Sequence, residues 1–223
     1  MTSMNQAIDV VVYGNPNYLQ LPLIQTKTDL DDLLPSIFET NCPKNFSQLV
    51  KDELAILQEY QSNFNTLTES TQKRYVLYDK DLAKVVKNSL ALTTMPHEEI
   101  DLNSLVDEII EYTKPLLLKI KYKYNRPRPQ VLANYYRTSL FPRISVSADT
   151  PAFPSGHTFQ MELIKETIGA LYPQSYRGLS LLADDVNEQR LYYGLHYPSD
   201  IDFAKLCAKK ILSSKAWTTK YRI

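Results

Sequence analysis

Apolar residues recur every three to four positions along much of this chain, which is the spacing of one face of an α-helix. Weaker repeats predict helices over residues 29–39, 46–64, 69–92, 155–171, 175–193 and 198–213. The clearest repeat lies in Leu102–Tyr124, at Leu105, Val106, Ile109, Ile110, Leu116, Leu117 and Ile120. Residues 8–13 fit a short strand, and residues 130–154 are expected to form a loop closed by prolines. The pattern therefore predicts an all-α protein of about seven or eight helices.

Residues that commonly begin or end helices support several of these boundaries. Thr28 and Thr68 are the expected N-caps of the helices that begin at residues 29 and 69. Pro198 suits the first position of the last predicted helix. Pro127 and Pro129 predict the end of Leu102–Tyr124, because the residue before a proline avoids helical backbone angles.

The composition is that of an ordinary globular protein and provides no global charge. The 223 residues include 25 Lys and Arg and 25 Asp and Glu, so the formal net charge is zero. We therefore expect no binding to a nucleic acid duplex and no attraction to anionic lipid. Apolar runs are too short for membrane insertion, and the N-terminus lacks a signal-peptide pattern. We expect a cytosolic protein, in the host cytosol if the chain is viral.

The two cysteines, Cys42 and Cys207, lie far apart and form no CxxC pair. Two free thiols are the main expectation, with one long-range disulfide as the alternative. No cluster of carboxylates typical of a metal site is visible in the sequence, so we predict no metal and no cofactor.

The first cluster with candidate chemistry is Lys121-Tyr-Lys-Tyr-Asn-Arg126-Pro-Arg128-Pro129. Seven helical residues turn through about 700°, so Lys121 and Arg128 lie on nearly the same face if the helix persists. Lys119 and Arg126 have the same spacing. The alternative is a solvated basic helix end, which the helix dipole favours.

The second cluster is Phe153-Pro-Ser155-Gly156-His157-Thr158, which begins a predicted helix. The free N–H groups of a helix N-terminus bind anions, and a glycine allows the anion to approach the backbone. His157 would then lie beside the anion. The alternative is a simple N-cap by Ser155 with a surface histidine.

The third cluster contains Arg190, His196 and Asp200. Asp200 lies four residues after His196, so its carboxylate can accept from one imidazole nitrogen and leave the other as a nucleophile. Arg190 offers a bidentate ligand for phosphate. The alternative is a structural His–Asp hydrogen bond. The third histidine, His97, is interpreted as a surface loop residue.

Taken in this order, the clusters resemble the three-part signature of the phosphatidic acid phosphatase type 2 and vanadium haloperoxidase superfamily, K-x6-R-P, P-S-G-H and S-R-x5-H-x3-D. The stretches around Arg128 and His196 are particularly similar to soluble bacterial class A acid phosphatases. The resemblance covers about residues 105–212. Gln189 replaces the usual serine before Arg190. Lys119 with Arg126 also fits the first motif, but Lys121 with Arg128 is preferred, because Arg-x-Arg-Pro is the form that the acid phosphatases have.

The resemblance implies a single-domain helical bundle, with residues 101–223 as the catalytic core and residues 1–100 as an unmatched helical part of the same domain. It implies a phosphatase that hydrolyses monoesters of a small soluble substrate through a phosphohistidine. His196 would be the nucleophile, Asp200 its partner and His157, starting protonated, the acid and base. The implied phosphate ligands are Lys121, Arg128, Ser155, Gly156 and Arg190.

Three further expectations follow from the resemblance. Related soluble enzymes often form homo-oligomers, so self-association is compatible with this chain. One alternative function is a vanadate-dependent haloperoxidase, which would be the only case with a bound group, vanadate on His196. The other alternative is an inactive phosphate-binding protein on the same fold.

Overall fold

The computed structural model of the chain describes residues 8–9, 11–92, 101–141 and 145–223, and all regular structure in these ranges is helical. The all-α prediction is therefore confirmed. The longer helices are α1 (Gln48–Asn63), α2 (Glu69–Lys80), α3 (Leu82–Ala91), α4 (Leu102–Tyr124), α5 (Pro129–Tyr136), α6 (Gly156–Leu171), α7 (Pro173–Tyr192), α8 (Pro198–Leu212) and α9 (Lys215–Tyr221). Shorter helical turns cover Pro16–Gln20, Pro22–Gln25, Asp31–Leu33, Leu34–Phe38 and Phe64–Thr66. The prediction for His97 lies outside the described residues.

The strand predicted for residues 8–13 is wrong where the structure describes it. Ile8 and Asp9 are helical, and residues 11–13 have no regular structure. The side chain of Asn125 takes the place of a neighbouring strand. It donates to the carbonyl oxygen of Val11 at 2.7 Å and accepts from the backbone N–H of Tyr13 at 2.8 Å. These bonds satisfy backbone groups that would otherwise need a sheet partner.

The helix predicted for residues 69–92 is two helices, because Asp81 ends one and begins the next. Asp81 has φ −158° and ψ 80°, and its carboxylate accepts from the backbone N–H of Lys84 at 3.0 Å. An aspartate side chain competes with the backbone for such donors and favours a helix start. Thr68 is the N-cap of α2, as predicted, and accepts from the N–H of Thr71.

The helix predicted for residues 29–39 is shorter than expected. A 3-10 turn precedes the helix Leu34–Phe38, whose second residue, Pro35, lacks an N–H and suits a helix start. Thr28 does not cap it as predicted, since the Thr28 hydroxyl donates to Asp31 instead, at 2.9 Å.

Two of the longer helices were not expected from the sequence. α5 lies inside the predicted loop of residues 130–154, and Pro129 occupies its first position, where the missing N–H has no cost. α9 begins after the cap Ser214, whose hydroxyl oxygen accepts from the N–H of Trp217 at 3.2 Å. Trp217 is fully buried, so this last helix covers part of the core.

Helix α6 lies at the centre of the fold and packs against α4, α7 and α8, while α7 also contacts α1, α2 and α3. The main hydrophobic cluster contains side chains from both halves of the chain, such as Tyr75 and Val86 with Phe159 and Ile164. The first two sequence clusters lie at the end of α4 and the start of α6, and the third runs from the end of α7 to the start of α8. The packing of these helices around α6 brings the clusters together.

None of the described helices combines the length and the apolar character needed to cross a bilayer. Cys42 and Cys207 are both free thiols, which confirms the main expectation from the sequence.

Candidate active site

Lys121 and Arg128 are held at the end of α4 by carbonyl groups of one loop. The chain leaves α4 at Asn125, which has left-handed backbone angles, and Arg128 precedes α5. Lys121 Nζ donates to the carbonyl oxygen of Pro151 at 2.7 Å, and Arg128 Nε donates to that of Thr150 at 2.9 Å. Burial lowers the pKa of Lys121 well below its usual value, and Arg128 lowers it further. Burial also lowers the pKa of Arg128, to about 10.

The other candidate pair, Lys119 and Arg126, is engaged elsewhere. Lys119 Nζ lies 2.5 Å from a carboxylate oxygen of Asp31 and donates to the carbonyl oxygen of Thr26. Arg126 is 1% exposed and binds the carboxylates of both Glu53 and Asp200. Lys119 and Arg126 therefore make structural contacts, whereas Lys121 and Arg128 line the same cavity as the two histidines.

His196 and Asp200 form the hydrogen bond that their spacing predicts. His196 Nδ1 lies 3.1 Å from Asp200 Oδ2, which also accepts from the N–H of Tyr197 at 2.9 Å. Because a carboxylate only accepts, the proton lies on Nδ1. The lone pair of Nε2 then accepts from Arg128 Nη1 at 2.8 Å. The tautomer leaves Nε2 unprotonated, as a nucleophile requires.

The charges around this pair favour a neutral imidazole beside an ionised carboxylate. Burial and then Arg128 lower the pKa of His196 well below 6.5, although Asp200 opposes the shift. Burial alone would raise the pKa of Asp200, but Arg126 and His196 hold it down at about 2. At neutral pH the pair is therefore His⁰ with Asp⁻.

Ser155 and Gly156 occupy different places at the start of α6. Ser155 is fully buried, and its hydroxyl oxygen caps the helix by accepting from the N–H of Thr158 at 3.4 Å. Its own N–H donates to the carbonyl oxygen of Asp200 at 3.0 Å, which fixes α6 against α8. Gly156 lines the cavity described below. A Cβ atom there would lie 3.5 Å from Leu117 Cδ2 and 3.6 Å from Lys121 Cε, which are ordinary contact distances.

His157 is held by the main chain of α2. Its Nε2 lies 3.1 Å from the carbonyl oxygen of Tyr78, which can only accept, so the proton lies on Nε2 and Nδ1 carries the lone pair. Burial, Arg190 and His196 lower the pKa of His157 well below 6.5. The imidazole therefore favours the neutral form here, which differs from the protonated starting state expected from the sequence.

Arg190 is placed beside the cavity by an aspartate that the sequence analysis missed. Arg190 Nη2 lies 2.5 Å from Asp79 Oδ1, and Nη1 donates to the hydroxyl of Ser147 at 3.1 Å. Asp79 also accepts from the hydroxyls of Ser145 and Ser147 and from the N–H of Val146. Asp79 thus fixes both Arg190 and the loop next to it. No motif in the sequence marked this residue.

A cavity of about 200 Å³ lies where the three clusters meet. Five of the predicted site residues line it: Lys121, Arg128, Gly156, His157 and His196. The wall also includes residues that the sequence analysis did not select, among them Lys114, Leu117, Leu118, Ser147, Asp149, Thr150 and Gln160. Lys114 could have been found, because it precedes Lys121 by the same seven residues that separate Lys121 from Arg128. The others face the cavity from helices α4 and α6 and from one loop, whose relative positions depend on the fold.

The cavity can hold a tetrahedral anion among cations and imidazoles. The buried Lys121 and the partly buried Arg128 provide the positive charge, and His196 offers an unprotonated nitrogen, Nε2. Within the described ranges, no group of three or more His, Cys, Asp or Glu side chains is arranged to hold a metal ion.

No protein-family model matches this chain, and no curated protein matches it. The resemblance described above rests on the residues of the three motifs, and the geometry defines the class of site, a cavity lined by three basic side chains and two histidines.

Proposed function

We propose that this protein is a phosphatase that hydrolyses monoesters of a small soluble substrate, without a metal, through a phosphohistidine on His196. The observation that carries the proposal is the placement of His196. Its Nδ1 is bound to Asp200, and its Nε2 lies at a cavity that Lys121, Arg128 and His157 also line. A structural His–Asp pair needs no cationic cavity around the second nitrogen.

Binding of the phosphoryl group depends on the cations that line the cavity. Lys121 and Arg128 balance the charge on the equatorial oxygens as it develops in the transition state, which is the role of metal ions in other phosphoryl transfer enzymes. Gly156 lines the cavity at the start of α6, where free N–H groups of a helix favour an anion. Arg190 adds positive charge from beside Ser147. A cavity of about 200 Å³ holds the phosphoryl group and the first few atoms of the leaving group.

The first chemical step is in-line attack of His196 Nε2 on phosphorus, which requires Arg128 Nη1 to leave the Nε2 lone pair and donate to a phosphoryl oxygen instead. The P–O bond to the leaving group breaks as the N–P bond forms, and the imidazole becomes positively charged. Asp200 stabilises this imidazolium through Nδ1–H, because Arg126 keeps the carboxylate ionised.

His157 transfers the protons. A bound phosphate carries negative charge that offsets the effect of Arg190 and raises the pKa of His157, so a proton enters with the substrate. His157 protonates the leaving oxygen through Nδ1, while Nε2–H remains on the carbonyl oxygen of Tyr78. The neutral imidazole then removes a proton from the water that cleaves the phosphohistidine.

Release of p-nitrophenol from p-nitrophenyl phosphate in the presence of EDTA tests this proposal. We expect turnover by the wild type with and without EDTA, and none by His196→Ala. His97→Ala is the matched control, since it removes the one histidine outside the three motifs. Full turnover by His196→Ala would contradict the nucleophile, and loss of activity with EDTA would contradict the metal-free reaction. Phosphate binding without any turnover would favour an inactive phosphate-binding protein.

A further inference from the structure

Residues 11–18, here named the N-terminal arm, lie directly on the loop that holds the cations. Asn15 N–H donates to the carbonyl oxygen of Asp149 at 2.6 Å, and the Tyr18 hydroxyl donates to Asp149 Oδ2 at 2.9 Å. Gly14, with φ +79°, directly precedes Asn15. A Cβ atom on Gly14 would be 2.7 Å from both the carbonyl oxygen of Asp149 and the Cα of Thr150. Only glycine allows the two backbones to approach this closely.

The arm is also fixed to the end of α4. Asn125 makes the two hydrogen bonds to Val11 and Tyr13 described above. The Tyr122 hydroxyl donates to the carbonyl oxygen of Asn15 at 2.6 Å. The arm therefore joins the helix that carries Lys121 to the loop that binds Lys121.

The opposite side of the same loop holds the two cations. The carbonyl oxygen of Thr150 accepts from Arg128, and that of Pro151 accepts from Lys121. Residues 149–151 thus lie between the arm and the cations. A displacement of this loop moves the two acceptors that orient the cations at the cavity.

We propose that Gly14 is a positioning residue, and that the N-terminal arm sets the loop of residues 149–151 so that Lys121 and Arg128 point into the anion cavity. The inference rests on the proposed function in taking this cavity as a phosphate site. It assigns a role to a segment outside all three motifs.

Gly14→Ala is the main test. Carbon atoms in contact lie about 3.5 Å apart, so a Cβ at 2.7 Å must displace the arm or the loop by about 0.8 Å. Misplacement by about 1 Å can lower an enzyme's rate by about a hundredfold, and loss of one charged hydrogen bond weakens binding by about tenfold or more. We expect Gly14→Ala to raise both the Kd for inorganic phosphate and the KM for p-nitrophenyl phosphate by about tenfold. Tyr18→Phe, which removes one hydrogen bond to Asp149, should change them in the same direction and by less.

Thr26→Val is the matched control. The Thr26 hydroxyl donates to the carbonyl oxygen of Pro22, within the N-terminal region but away from the loop. Binding is measured by calorimetry well below the melting temperature of each variant. A variant that merely loses stability has fewer active molecules, which lowers the apparent kcat and the binding stoichiometry but leaves Kd and KM unchanged.

The Kd values and the turnover of the wild type test the role of Gly14 and the proposed phosphatase function separately. Weaker phosphate binding in Gly14→Ala than in Thr26→Val supports the positioning role. Equal Kd values in these two variants overturn it. A wild type that binds phosphate without turnover refutes the proposed function. In that case the Kd values of Gly14→Ala and Thr26→Val still test the role of the N-terminal arm. A wild type that binds no phosphate overturns both.

Discussion

A substitution of Arg126 tests which basic pair binds the anion. In the structure the Arg126 guanidinium binds protein carboxylates, so we expect it to support the fold and not to bind the anion. Its guanidinium donates to Asp200 Oδ1 at 2.5 Å and to Glu53 Oε2 at 3.0 Å, and lies 3.9 Å from the centre of the Tyr197 ring. We choose Arg126→Met, which keeps an unbranched side chain and removes the charge. If Arg126 supports the fold, this change lowers stability above all else.

The expected loss follows from the two carboxylates that remain. Glu53 is 3% exposed and Asp200 is 0% exposed, so neither can regain full hydration after the cation is removed. Breaking a buried ion pair from one side costs about 3–5 kcal/mol of the free energy of unfolding. In a chain of this length that corresponds to a decrease in melting temperature of about 10 °C or more.

Urea and thermal unfolding at neutral pH measure this loss, with two companion variants. Lys119→Met removes the cation of a more accessible pair with Asp31 and should cost less than Arg126→Met, because water can reach the remaining carboxylate. Adding Glu53→Gln to Arg126→Met should recover part of the stability, because one of the two unpaired carboxylates becomes neutral. If Arg126→Met unfolds like the wild type and instead loses phosphate affinity, Arg126 is an anion ligand and our assignment is wrong.

Three further predictions concern the residues around the nucleophile. His157→Ala should release one equivalent of p-nitrophenol in a burst and then turn over slowly, because this leaving group needs little acid help while water needs a base; a stopped-flow trace without a burst would contradict this. Asp79→Asn should lower kcat/KM by about tenfold, because Arg190 loses its charged acceptor; an unchanged kcat/KM would show that Asp79 does not position Arg190. Asp200 has a folded pKa of about 2 against an ordinary 3.8, so it contributes about 2 kcal/mol of stability above pH 3.8 that is lost as the pH falls towards 2. Acid unfolding of the wild type and Asp200→Asn measures this contribution, and equal slopes in that pH range would refute it.

The helices that sequence predicts best are those whose apolar spacing is regular over several turns. α4 is predicted with its observed bounds, since its buried face repeats without interruption. The break at Asp81 could not be predicted from that spacing, because one side-chain hydrogen bond to the backbone decides it. α5 was missed because the prolines before it resemble a loop, although Pro129 is favourable at a helix start.

The motifs predict which cations and imidazoles belong together, and the structure brings Lys121, Arg128, His157 and His196 to one cavity. They do not predict how these groups are held. Asp79 lies 111 residues from Arg190 in sequence, and their contact exists only once α2 packs against α7. The position of the proton on His157 likewise depends on a carbonyl group of α2. Such contacts carry no local sequence signal.

The most direct test of the account is to trap the phosphorylated enzyme. Wild type and His157→Ala are mixed with a ³²P-labelled monoester, quenched in alkali within milliseconds and digested, and the labelled peptide is sequenced. The account predicts a phosphoramidate that is stable in alkali, labile in acid and located on His196, with more label in His157→Ala. Label on another residue, or no label during steady turnover, would contradict it.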